Sequence, residues 1–271
     1  MAARPSSAAP RAAPRGALPL AAYVLHRYDW SESSLILDLF TRELGRIAVA
    51  AKGAKRPYSQ MRPVLLPFQR VAITLGRAAR DEAASEVQNL RGAEWAGGAA
   101  MLTGAALFSG FYLNELLMKL LARHDPHAAL FDVYAQTLPA LASGDDTRVE
   151  CALRAFELSL LREIGVLPDL SLVTLTQQPV RCAARYAVQA EAGVTEGRGA
   201  EAELTGAALT GLQAALEHGS LAALQLACRD SLPELKTLLR GVIQHHLGTP
   251  TLRTRQVMLE LQSLQVENSR P

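Results

Sequence analysis

Two groups of residues in this sequence carry the donor types that chemistry needs, and they point in different directions. His124-Asp125-Pro126-His127 sets two imidazoles and a carboxylate within one short segment, the donors of a zinc or hydrolytic site. Pro126 breaks the helix that would bring both rings to one face, so the segment reads as a surface turn at a helix end. His245 and His246 are adjacent and point apart on a helix. Glu157 and Glu163 fall at spacings usual for solvated helix faces. The phosphate loop G-x-x-x-x-G-K-[ST], the fingerprint G-x-G-x-x-G and the elbow G-x-S-x-G do not occur. A hydrolase built on His124, Asp125 or His127 remains an alternative, but the chain is expected not to be an enzyme.

The second group is cationic. Between Arg42 and Arg80 stand nine basic residues (Arg42, Arg46, Lys52, Lys55, Arg56, Arg62, Arg70, Arg77 and Arg80) against one acid, Glu43. The whole chain is only +2, and residues 103–170 hold nine acids and five bases, so charge is divided along the chain. Cations at this density fit nucleic-acid phosphates, whose neutralisation releases condensed counterions. Lys52, Lys55 and Arg56 share one loop with Tyr58, and Arg42, Arg46, Arg62 and Arg70 flank it. Aromatic residues are only 5% of the chain, which favours phosphate-dominated, sequence-tolerant binding over base reading. A solvated basic face, or a scaffold that binds only proteins, is the competing reading. Single-stranded DNA binding at low and moderate salt separates the two.

Such cations need elements to position them. Residues 21–95 read as strands: one from Tyr23, then 34–41, 46–51, 65–75 and 84–90. Leu35, Leu37 and Leu39 share one face, and Gly45 supplies the positive φ of a turn. Five short strands suggest a small closed barrel, because closure removes exposed edges. Pro67 places the start of the fourth strand at an edge or bulge. Beyond Gly98 the apolar period becomes helical. Helices are expected up to Pro126, then at 128–141, 147–164, 205–217, 221–227, 233–247 and 253–264, with a short strand pair within 180–188. Thr147 and Glu150 form a capping box, and Gly165 and Pro168 supply a stop. The uncharged run 95–114 reads as a buried helix rather than a membrane span, since it opens on Gly97-Gly98 and its pattern continues past Glu115 and Lys119.

Residues 1–19 are rich in Ala, Pro and Arg and lack the apolar stretch of a secretory signal, so a disordered tail is expected. The expected division is this tail, a barrel over 20–97, and a helical domain over 98–265 with a small irregular insertion near 171–200. Cys151, Cys182 and Cys228 are too few and too scattered for a disulfide framework, which fits a reducing, cytoplasmic setting.

The wording of the sequence adds a resemblance. Val24-Leu25-His26, Trp30-Ser31-Glu32-Ser33-Ser34-Leu35, Leu37-Asp38-Leu39-Phe40-Thr41, and Gly45-Arg46 followed by Ala51-Lys52-Gly53-Ala54 resemble the barrel of the RecO family. Tyr112-Leu113-Asn114-Glu115-Leu116-Leu117, Leu130-Phe131, Leu153-Arg154-Ala155-Phe156-Glu157-Leu158 and Leu252-Arg253-Thr254-Arg255 resemble its helical part. The resemblance runs over about residues 20–262 and implies an α+β protein: a five-stranded OB-fold (oligonucleotide/oligosaccharide-binding) barrel followed by a mainly helical domain. It implies a bacterial, nucleoid-associated recombination mediator of the RecF pathway that binds single- and double-stranded DNA and anneals complementary strands. With RecR, such a protein helps RecA displace single-strand-binding protein (SSB). No nucleotide hydrolysis, cofactor or membrane contact is implied. Arg154 matches the family's arginine for the acidic C-terminal tail of SSB, with an ordinary arginine paired to Glu150 or Glu157 as the alternative. Some members carry a four-cysteine zinc site. Only Cys182 stands in that region here, so no zinc is expected and packing is expected to hold the segment.

Overall fold

The computed structural model describes residues 18–76, 86–98, 101–199, 202–248, 252–258 and 260. Arg77, Arg80, the expected tail up to residue 17 and the end of the expected terminal helix lie outside the described residues.

β1 (Leu20–Asp29), β2 (Leu35–Thr41), β3 (Gly45–Ala51), β4 (Gln69–Leu75) and β5 (Val87–Gly98) form a closed barrel in the order β1-β2-β3-β5-β4. All pairs are antiparallel except β3 with β5, the strand order of an OB barrel. Strand alternation sends Val24, Leu37, Leu39, Ile47, Val49 and Val71 inward to one core. Gly45, at φ +67°, makes the β2–β3 turn, and a Cβ there would collide with the Asp125 carbonyl oxygen. The turn is thus seated against the segment that follows the first helix.

β1 begins at Leu20 rather than Tyr23 and β5 at Val87 rather than 84, and two further strand boundaries differ for a visible reason. β4 starts at Gln69, not 65, because Phe68 adopts φ 68° and Pro67 makes only an isolated bridge to Val24. β5 runs on to Gly98, because Trp95 and Gly98 pair with Val71 and Gln69 of β4. The uncharged run is therefore not one helix. It holds the end of β5, a connection, and the start of α1 (Gly104–Leu120). Among the described residues no helix is long and apolar enough to cross a membrane.

α1 ends at Leu120, short of Pro126, because the chain then crosses to the barrel: the His124 N–H donates to the Arg46 carbonyl at 2.9 Å. α2 (Ala128–Leu141) follows as expected. α3 (Asp146–Glu163) is capped by Asp145, whose carboxylate accepts from the Arg148 N–H, so Thr147 lies inside the first turn and is not the cap. Gly165 closes this helix at φ +74°. The expected strand pair is displaced to β6 (Arg185–Gln189) and β7 (Gly193–Glu196), joined by β8 (Leu204–Thr205) in the order β7-β6-β8. α4 (Gly206–His218), α5 (Leu221–Cys228) and α6 (Leu232–Leu247) complete the helical body, and residues 253–258 are again helical.

The cysteine-poor segment is held by hydrogen bonds as well as packing. The Val173 N–H donates to the Gln178 carbonyl (2.8 Å), the Val180 N–H to Ser171 (2.9 Å) and the Thr174 N–H to Val194 (2.9 Å). The Thr174 hydroxyl accepts from the Val194 N–H at 2.8 Å, and the Arg181 N–H donates to the Tyr186 hydroxyl at 2.8 Å. No group of three or more His, Cys, Asp or Glu that could hold a metal occurs among the described residues.

Barrel and helices share one core. Tyr23, Leu25, Phe40 and Phe68 of the barrel side join the helical cluster. Tyr23 packs on Phe131 and Tyr134 at 5.2 and 5.0 Å between ring centroids, and Phe40 on Phe131 at 5.5 Å. At the centre the Asn114 amide donates to the Leu25 carbonyl at 2.9 Å and accepts from the Tyr134 hydroxyl at 2.6 Å.

Candidate nucleic-acid interface

The barrel divides the basic residues between its two ends. Tyr23, Phe40, Arg46 and Arg70 are mutual partners across β1, β2, β3 and β4, at the end seated on the helices. Asp29, Leu35 and Ala51 are partners six positions further along β1, about 20 Å away at strand rise. The loops 30–34 and 52–56 emerge from that far end.

At the helical end Arg42 and Arg70 have protein partners. Arg42 pairs with Asp132 of α2 through Nε–Oδ1 at 3.1 Å and Nη2–Oδ2 at 2.9 Å. The Arg70 guanidinium lies 6.0 Å from the centroid of Phe131, a cation–π contact. Arg46 is half-buried; burial pulls its guanidinium below its ordinary range, against the pull of Asp38, and Arg123 pulls the same way as burial.

At the far end Lys52, Arg56 and Arg62 are exposed, and Tyr58 is 94% exposed. Lys55 ties the two loops together. Its ammonium meets Asp29 at 3.1 Å and the Ser31 carbonyl at 3.1 Å, while its N–H donates to the Ser33 carbonyl. Pro57, Tyr58, Arg62 and Pro63 line one shallow depression. The structure therefore brings Lys52, Lys55, Arg56, Tyr58 and Arg62 together and places Arg42, Arg46 and Arg70 elsewhere. Tyr28 and Trp30 are 45% and 56% exposed, and Arg123 lies 3.1 Å from Asp38; none of the three stood among the sequence candidates. The first two stood in the sequence two apart on β1 and its loop, whereas nothing in the sequence tied Arg123 to the barrel.

Arg154 on α3 is 8% exposed. Its Nη2 meets Glu157 Oε1 at 2.7 Å, and the Tyr112 hydroxyl donates to the same oxygen at 2.7 Å. Burial pushes the Glu157 carboxyl up, although Arg154, Tyr112, Arg240 and Lys236 all pull it down. Lys236 and Arg240, one helical turn apart on α6 and both exposed, thus act on the same carboxylate as Arg154; Lys236 also meets Glu150 at 3.0 Å. Their four-residue spacing was the available sequence signal.

His127 lies between two carboxylates, Asp125 at 3.4 Å and Glu163 at 3.3 Å, and His124 sits at φ 58°. The two histidines do not converge on a shared site with a third ligand.

The family model described as Recombination protein O N terminal matches residues 19–96, and Recombination protein O C terminal matches residues 101–256. The chain belongs to the RecO family. Among its relatives, the DNA repair protein RecO of Polaromonas sp. (strain JS666 / ATCC BAA-500) is 51% identical over 245 residues, 90% of this chain and 96% of the relative. That of Acidovorax ebreus (strain TPSY) is 52% identical over 256 residues, again 90% of this chain and 96% of the relative. The function is accordingly of the RecO type, in DNA repair and recombination, as a mediator and not an enzyme.

Proposed function

We propose that this chain is a recombination mediator of the RecF pathway that binds single- and double-stranded DNA, anneals complementary strands and, with RecR, helps load RecA onto SSB-coated DNA. In this reading residues 20–97 hold DNA, residues 98–265 recruit the protein that coats it, residues 1–19 form a tail, and the protein works in the cytoplasm at the nucleoid. The observation that carries it is the far end of the barrel: Lys52, Arg56, Tyr58 and Arg62 exposed on the single connection between β3 and β4. Exposed cations of this kind track phosphates without reading sequence.

For SSB, the candidate contact is Arg154 with Lys236 and Arg240, cations on the packed helices α3 and α6; α3 also carries the half-buried Val149 and Leu153. An acidic peptide ending in a carboxylate fits cations beside apolar side chains. Arg154 is already held by Glu157, so the exposed Lys236 and Arg240 carry the attraction at longer range.

Strand annealing with and without SSB tests both halves. Reversal of Lys52, Lys55 and Arg56 to Glu is expected to abolish annealing of bare and coated strands. Lys236→Ala with Arg240→Ala is expected to impair only the coated strands. Bare-strand annealing unchanged by the triple reversal would remove the loop from the DNA site.

A further inference from the structure

The outer wall of the barrel carries a second arrangement that the basic loops do not use. Past the irregularity between Val24 and His26, two rungs cross the sheet: His26, Asp38, Ala48 and Val87, then Tyr28, Ile36, Ala50 and Asn89. Their neighbours Leu37, Leu39, Ile47 and Val49 fill the core, so these rungs face outward. Tyr28 is 45% exposed, and the His26 ring meets it edge-on at 4.4 Å. Asp38 stands one rung away, and its carboxylate lies 3.1 Å from Nη2 of Arg123. Arg46 shares the field of Asp38, and its buried Nε has no hydrogen-bond partner. Two guanidiniums thus face one carboxylate. Trp30 continues the two-residue stripe and is 56% exposed; its N–H bonds the Ser34 carbonyl at 3.3 Å. β3 adds only Ala48 and Ala50 to these rungs, and both are buried, so the exposed part of the face is the β1 side with His26, Tyr28 and Trp30.

We propose that this face is a stacking site for the unpaired bases of single-stranded nucleic acid, with Tyr28 as its fixed platform, His26 and Trp30 beside it, and Arg46 and Arg123 for a phosphate at its foot. Alternate β1 residues stand about 6.6 Å apart, roughly twice the ~3.4 Å rise of stacked bases, so only a strand with separated bases matches them. The ring of Tyr28 already packs on His26, so less side-chain freedom is lost when a base lands on it. Arg123 comes from the segment between α1 and α2, so the helical half completes this face. The inference rests on the DNA-binding reading above and deepens it: the loop cations take phosphates of either form, whereas the rings take only free bases.

The test compares a labelled oligonucleotide, the same oligonucleotide made abasic, and its duplex, on the full chain. Tyr28→Ala is expected to weaken the intact single strand by about five- to 150-fold and to leave the abasic strand and the duplex unchanged. Tyr28→Phe, which keeps the ring, should retain most of the affinity. Tyr28→Leu, which keeps apolar cover without a flat ring, should behave as the alanine variant and guards against a folding effect. Equal losses on all three ligands, or no loss on the intact strand, overturn the proposal. If the wild type binds none of the three, the DNA-binding reading falls and this one with it. If reversal of the loop cations leaves binding intact while Tyr28→Ala loses only the single strand, the loop assignment falls and this one stands.

Discussion

Arg42 and Asp132 clamp the β2–β3 turn to α2 through two parallel hydrogen bonds, at 3.1 and 2.9 Å. The fork geometry suits a guanidinium and a carboxylate, and Asp132 holds the Arg42 guanidinium above its ordinary range. A basic residue that sequence places among the DNA contacts thus serves the joint between barrel and helices. Arg42→Ala is expected to leave single-stranded DNA affinity unchanged and to lower the melting temperature slightly. A marked loss of affinity at unchanged melting temperature would return Arg42 to the DNA site.

Asn114 is the polar centre of the same joint. Asn114→Ala strands the Leu25 carbonyl and the Tyr134 hydroxyl in the core. Each buried unsatisfied group costs about 1–3 kcal/mol, so a loss of about 2–6 kcal/mol is expected in urea denaturation. A loss below about 1 kcal/mol, the size of one ordinary hydrogen bond, would mean that both groups find other partners.

Glu115 fastens the start of the terminal helical segment. Its carboxylate accepts from the Arg253 N–H (2.8 Å), the Thr254 N–H (2.9 Å) and the Thr254 hydroxyl (2.7 Å). Burial raises its pKa, but these hydrogen bonds and Lys119 outweigh burial and leave it below the ordinary carboxylate range. A pKa lower in the folded state gives stability that is fully present above the unfolded value and is lost as pH falls through the folded one. Amide exchange at Arg253 and Thr254 should therefore speed up under acid, once correction is made for intrinsic rates. Glu115→Gln should show fast exchange with that acid step removed.

Arg154 and Glu157 form a buried pair, and removing one partner strands the other. Arg154→Ala is expected to cost about 3–5 kcal/mol in urea denaturation, with much of it recovered by adding Glu157→Gln. Any loss of SSB-tail binding in Arg154→Ala must therefore be read at temperatures where the variant is folded. Recovery of stability without recovery of tail binding in the double variant would separate the contact role of Arg154 from its packing role.

The alternation of Leu35, Leu37 and Leu39, the Gly45 turn and the bounds of α2 were legible because local periodicity and stop signals determine them. The start of β4 was not, since Phe68 takes a backbone conformation its residue type rarely adopts. Nor was the end of α1, which is set by a hydrogen bond from His124 to Arg46 across the joint. The candidate site was legible as a charge run but not as two ends of a barrel. Register alone separates Arg42, Arg46 and Arg70 from Lys52, Arg56 and Arg62, and register follows from long-range pairing. Aromatic content gave no warning of the outward stripe, because composition does not record which face His26 and Tyr28 share.

The central claim is that the loop cations at the far end of the barrel carry most of the phosphate contacts. The salt dependence of single-stranded DNA binding tests it most directly, comparing the wild type with the combined variant Lys52→Ala, Arg56→Ala and Arg62→Ala. Each lost phosphate contact removes about 0.7 from the slope of log affinity against log salt, so the predicted slope is shallower by about 2, with weaker binding at every salt concentration. Wild-type affinity and slope in this variant would contradict the account.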